Sequence, residues 1–166
     1  PEHIVLDGQQ RLTAMYYAFV APEVALPYRV SRAVYFINVD KFMQREDDKA
    51  FGYDWLSRRS SKFIENREEQ YKQHIFPLSV IGAGDYNLPN WLQGYEKYWL
   101  SVVSKKEHGE DQGATSEARE HAKNAELFGK EILEISEEYQ IAYVELEDAL
   151  PIDKVCDIFT KINSTG

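Results

Sequence analysis

The stretch that most constrains the chain is Ile4-Val5-Leu6-Asp7-Gly8-Gln9-Gln10-Arg11-Leu12-Thr13. A short apolar run stops at Asp-Gly. A helical pattern starts at once, with Leu12, Met15, Tyr16 and Phe19 at i, i+3, i+4 and i+7. The spacing predicts a strand over 4–6, a tight turn, and a helix over 9–20 packed on a sheet through those four side chains. At such a junction the first backbone N–H groups of the helix lie outside its hydrogen-bond ladder, which makes a natural cradle for phosphate.

Each residue of the turn has two readings. Asp7 is a good N-cap, and with Gln10 three residues on it makes an Asp-x-x-Gln sequence resembling a capping box. Gly8 serves the turn; lacking a Cβ, it also lets an anion reach the backbone. Arg11 fits the cap reading poorly, because a cation in the first turn opposes the helix dipole by roughly 0.3–1 kcal/mol. A bound anion would turn that penalty into a charge-assisted contact. If phosphate binds, Gly8, Gln9 and Gln10 supply amides and Arg11 a bidentate fork. Asp7 supplies a carboxylate for magnesium or for orienting a water, and Gln9 or Gln10 an amide to position an attacking water.

Composition bounds the alternatives. The chain has 166 residues and 43% hydrophobic content, enough for one domain with a core. Its 19 basic and 28 acidic residues leave a net charge of −9, which disfavours sequence-independent binding to a phosphate backbone. The single Cys156 excludes an intrachain disulfide and a multi-cysteine zinc site. His3, His74, His108 and His121 show no metal-ligand spacing. No apolar run approaches the ~18 residues of a membrane span, and a reduced, cytoplasmic protein is the default expectation.

Along the chain, Ala33–Val39 reads as a buried strand, followed by a short helix through Phe42 and Met43 capped by Asp40. Residues 44–74 are polar and charged; within them Ser57–Lys62 is the most basic stretch, a solvated loop or a phosphate contact. A helix is expected over 65–73, and an apolar hinge over 75–81, where Pro77 excludes a central strand. Gly82–Asn87 is a loop with neither a dinucleotide fingerprint nor a Walker pattern. Trp91, Leu92, Tyr95, Trp99, Val102 and Val103 recur at helical spacing, as a packed core or a base-stacking cage. A loop over 107–116 leads to a helix over 116–138 with a stripe of Ala118, Ala122, Ala125, Phe128, Ile132 and Ile135. Residues 139–146 are a third strand candidate, and Val155, Ile158, Phe159 and Ile162 mark a last helix that Asn163–Gly166 would end. Three strands and about five helices make a mixed α/β domain.

Asp7-Gly8-Gln9-Gln10-Arg11-Leu12-Thr13 resembles the signature of the N-terminal domain of GmrSD-type modification-dependent restriction endonucleases, a family placed in the ParB/sulfiredoxin-like superfamily. Phe159-Thr160-Lys161-Ile162-Asn163-Ser164-Thr165-Gly166 resembles the family's second motif, Phe-x-x-Ile-Asn-Ser-x-Gly. The two motifs stand in the family's order and cover only the two ends. The resemblance implies an α/β (α+β) fold, a small mixed sheet packed by several helices. It implies one ParB/sulfiredoxin-like domain over 1–166, with a helical insertion roughly over 85–138. The family usually carries a segment before its first motif that is absent here, and a chain running from Pro1 to Gly166 is expected to be a fragment of a longer protein.

In function, the resemblance implies a nucleoside triphosphate as ligand, with magnesium, and hydrolysis that controls DNA cleavage in antiphage defence. Asp7, Gln10 and Arg11 would be catalytic, with Asp7 the metal ligand. Gly8, Gln9, Gln10, Arg11, Asn163 and Ser164 would hold the nucleotide. DNA would be engaged through other parts of the full-length protein, whose nuclease usually lies in a His-Asn-His region. Two further readings stay open: a ParB-like switch that binds nucleotide or DNA without turnover, and an interaction domain that has lost its chemistry.

Overall fold

The computed structural model describes residues 8–26, 28–56, 66–84, 86–106, 112–138, 140, 145–147 and 149–164. Helix α1 (Gln9–Met15) runs into a π turn over Tyr16–Val20. Then come β1 (Arg32–Asn38), α2 (Val39–Met43), α3 (Asp47–Ala50), β2 (Phe51–Leu56), α4 (Arg67–Lys72), β3 (Ile75–Pro77) and α5 (Ser79–Gly82). The long helices α6 (Asn87–Lys106) and α7 (Gln112–Glu138) pack on each other, and α8 (Ile152–Ser164) follows. This is the expected small sheet packed by helices, and its described strands are antiparallel throughout, in the order β2-β1-β3. Ile4–Leu6 and most of 139–146, both expected as strands, lie outside the described residues; 145–147 carry no regular structure.

Strand β1 forms where the β-branched and aromatic run predicts it. Asn38, not Asp40, caps α2: its side chain accepts from the Lys41 amide at 2.9 Å. The register explains the exchange, since the strand's last residue is the helix's N-cap and Asp40 already sits in the first turn. Strand β2 arises inside the stretch read as polar. It pairs Phe51 with Ile37, Tyr53 with Tyr35 and Trp55 with Ala33. Pro77 ends β3 at the sheet's edge, where a residue without an N–H is tolerated. Asn66 caps α4 through the amides of Glu68 and Glu69.

The core lies between the sheet and the α6–α7 pair. Phe76, Trp91, Tyr95 and Phe128 are fully buried there, with Ile37, Phe42, Tyr71 and Ile132 around them. Trp91 stacks on Tyr95 at 5.2 Å and meets Phe76 edge-on at 4.9 Å, and its indole N–H donates to buried Gln70 at 2.8 Å. Each such aromatic contributes about 1.5–3 kcal/mol by burial. Of the aromatics read as core or cage, Trp91 and Tyr95 are therefore core. The stripe on α7 holds from Ala118 to Ile132; Ile135 is exposed, and His121 takes a buried place instead.

The first helix differs from its reading. Leu12 is 44% and Tyr16 51% exposed, and α1 buries no residue. The i, i+3, i+4, i+7 row does not stay on one face, because the π turn after Met15 shifts Tyr16 and Phe19 relative to Leu12 and Met15. Among the described residues, that turn packs against β1 and α5. Gly82 lies directly against the Phe19 carbonyl, so close that a Cβ would overlap it.

Candidate functional site

The turn that opens α1 is built around Gly8. Its φ of 80° lies in the left-handed region, which glycine enters without steric cost. The described helix starts at Gln9, with Gly8 in the N-cap position; having no side chain, Gly8 makes no side-chain cap bond to the helix. Asp7 itself lies outside the described residues. Among the described residues, the Leu12 amide opens the helical ladder, donating to the Gly8 carbonyl at 2.9 Å. Gln9, Gln10 and Arg11 thus form the first turn, N-terminal to that bond.

Arg11 folds back over this end. Its Nη2 lies 3.6 Å from where a Gly8 Cβ would be. No acidic residue stands in the first turn to offset the helix dipole. A guanidinium, a glycine without a Cβ and the amides of a helix start therefore stand at one place in the chain. This donor set suits phosphate oxygens.

At the other end, Asn163 and Ser164 form the last described turn of α8. The Ser164 hydroxyl donates to the Lys161 carbonyl at 3.0 Å, serving its own helix end. The Asn163 side chain lies outside the described residues, as Asp7 does.

Two clusters are visible only in three dimensions. His74, read as one of four unrelated histidines, stacks on Trp99 at 4.9 Å and lies 4.4 Å from the His121 ring. His121 Nδ1 is 3.5 Å from Asp40 Oδ1, and its Nε2 is 3.7 Å from Glu117 Oε1. Burial and then the His121 charge push His74 down to about 4, against the pull of Asp40 and Glu117. Burial raises the Tyr95 phenol above its ordinary range. The second cluster is the aromatic row Phe51, Tyr53 and Trp55 on β2. Its signal was the alternation of aromatic and non-aromatic residues, a strand period hidden within a charged neighbourhood.

Open space lies elsewhere: a groove of about 520 Å³ along α7, lined by Arg45, Lys130 and the carboxylates of Glu131, Glu134 and Glu138. Its acidic wall does not suit a phosphate ligand.

With this geometry in place, the comparisons with known proteins define the class. The family model of the GmrSD restriction endonuclease N-terminal domain matches residues 1–166, and the chain belongs to that family. It is 24% identical over 109 residues to the uncharacterized protein MJ0686 of Methanocaldococcus jannaschii, a match covering 62% of this chain and 19% of that relative. The chain thus spans about a fifth of the length of the curated relative it matches. No solved structure matches it. Among the described residues no helix is long and apolar enough to cross a membrane.

Proposed function

We propose that the turn at Asp7–Arg11 binds the phosphates of a nucleoside triphosphate, and that the full-length protein hydrolyses it with magnesium to regulate DNA cleavage in antiphage defence. The observation that carries this reading is the Arg11 guanidinium folded over the left-handed Gly8 at a helix start whose first turn, Gln9–Arg11, holds a cation and no acid. A helix that needed only a cap would not place a cation there. Membership of a restriction endonuclease family supports the defence context.

In this reading Gly8, Gln9 and Gln10 bind phosphate oxygens through the backbone, and Arg11 neutralises charge on them. Asp7 holds magnesium, Gln10 positions the attacking water, and Asn163 and Ser164 complete the nucleotide site. The ParB/sulfiredoxin-like fold belongs to the same proposal, as does DNA contact through other parts of the full-length protein and residence in the cytoplasm. Phosphate release by the full-length protein, measured with and without magnesium and for Asp7→Ala, tests turnover. Loss of release with nucleotide binding retained in Asp7→Ala supports it. Equal release by variant and wild type overturns it. Tight binding by a wild type that releases no phosphate favours a switch without turnover.

A further inference from the structure

We propose that His74 and His121 form a one-proton switch: the pair holds a single proton, on His121, and that proton fastens α7 to α2. His121 is buried on α7, with a carboxylate on each side of its ring. Asp40 Oδ1, on α2, stands 3.5 Å from Nδ1, and Glu117 Oε1, one turn earlier on α7, stands 3.7 Å from Nε2. Asp40 does not cap its helix, because Asn38 does. Its Oδ2 accepts from Gln44 Nε2 at 2.8 Å, which leaves Oδ1 for His121. From the turn before β3, His74 brings its ring to 4.4 Å. Helix α6 contributes Trp99, whose ring stands 4.6 Å from His121, and the Tyr95 hydroxyl, 2.6 Å from His74 Nδ1. Among the described residues no other charged group stands within ion-pair range of His121.

Counting donors decides where the proton sits. A neutral imidazole has one N–H donor and one lone pair, and an imidazolium has two donors. Between two carboxylates the neutral ring serves one and sets its lone pair against the other; the protonated ring serves both. His121 Nδ1 is buried and makes no hydrogen bond among the described residues, so a charge-assisted bond to Asp40 is open to it. A second proton on His74 would set two like charges one ring apart. His74 already has its Nδ1 on the Tyr95 hydroxyl, and burial with the charge of His121 keeps it neutral down to about pH 4. Because α2 follows β1 directly, the His121–Asp40 contact joins the long helix to the sheet. A contact made only by the protonated ring is present in acid and is lost as the pH rises. Histidine is the side chain whose charge ordinarily changes near neutrality, so α7 is released from α2 as the solution turns alkaline. The proposal is independent of nucleotide binding at Gly8–Arg11.

The experiment follows hydrogen exchange of histidine rings and backbone amides by mass spectrometry on the full-length protein, from about pH 5.5 to about pH 8. Exchange of the histidine C2 hydrogen reports the protonation of each ring. In wild type His121 should titrate across this range while His74 stays neutral. The amides of residues 118–125, corrected for their intrinsic rates, should be about tenfold better protected at the acid end, the order of one charge-assisted hydrogen bond. Asp40→Asn keeps the shape and removes the charge, and should lose most of that difference. His121→Phe keeps a ring against Trp99 and should lose all of it. The two wild-type readouts stand even if a variant folds poorly. A His121 that stays neutral throughout, or a proton carried by His74 instead, would overturn the proposal. So would equal wild-type protection at both ends of the range, or a full difference persisting in Asp40→Asn.

Discussion

His74 Nδ1 and the Tyr95 hydroxyl lie 2.6 Å apart, joining the turn before β3 to the middle of α6. The same histidine accepts the Val39 amide on its carbonyl at 2.8 Å and sits at a φ of 58°, unusual for a residue with a side chain. One residue thus ties together the sheet, α2 and the long helices that enclose the core.

That bond sets the first prediction. Tyr95 is fully buried, so Tyr95→Phe keeps the ring packing and removes only the hydroxyl. His74 Nδ1 would be left without its partner, at about 1–3 kcal/mol. Urea unfolding of wild type and variant measures the loss; equal midpoints and slopes would show that the bond carries no stability.

The second concerns pH. His74 is held near 4 in the folded protein, against an ordinary value of 6.5. Below about 6.5 the unfolded chain takes up a proton that the folded chain refuses. His74's share of stability therefore falls as pH drops through 6.5, and the fall levels off below about 4. The stability difference between wild type and His74→Asn, measured by urea unfolding from pH 7.5 to 4.5, should shrink toward acid. A difference constant across that range would contradict the assignment.

The third rests on the close approach of Gly82 to the Phe19 carbonyl. Gly82→Ala drives a methyl into backbone, which cannot turn aside as a side chain can. A cost of about 1–3 kcal/mol is expected, the size of overpacking in a tight contact. Thermal unfolding reads it directly. An unchanged midpoint would mean that the π turn and α5 separate easily.

These sites show where sequence reasoning reaches and where it stops. The Trp91–Tyr95 face of α6 and the Ala118–Ile132 stripe of α7 were legible because long helices repeat their period often enough to be read. The run of Leu12, Met15, Tyr16 and Phe19 as one face was not, because one π turn shifts every side chain after Met15 and leaves no mark in composition. Asn38 as a cap was obscured by the equally suitable Asp40 two residues on. The pairing of His74 with His121 joins residues far apart in the chain, and no local pattern encodes it. The Gly8–Arg11 turn stood out because a cation in the first turn of a helix is at odds with local electrostatics.

The most direct test of the account is calorimetric titration of full-length protein with a nucleoside triphosphate and magnesium, comparing wild type with Arg11→Ala. Circular dichroism would establish that both are folded, which the exposed position of Arg11 leads one to expect. The account predicts that wild type binds and that Arg11→Ala binds more weakly by about 1.5–3 kcal/mol, the size of a lost charge-assisted hydrogen bond. Equal affinity in the two folded proteins, or no binding by wild type to any nucleoside triphosphate, would contradict it.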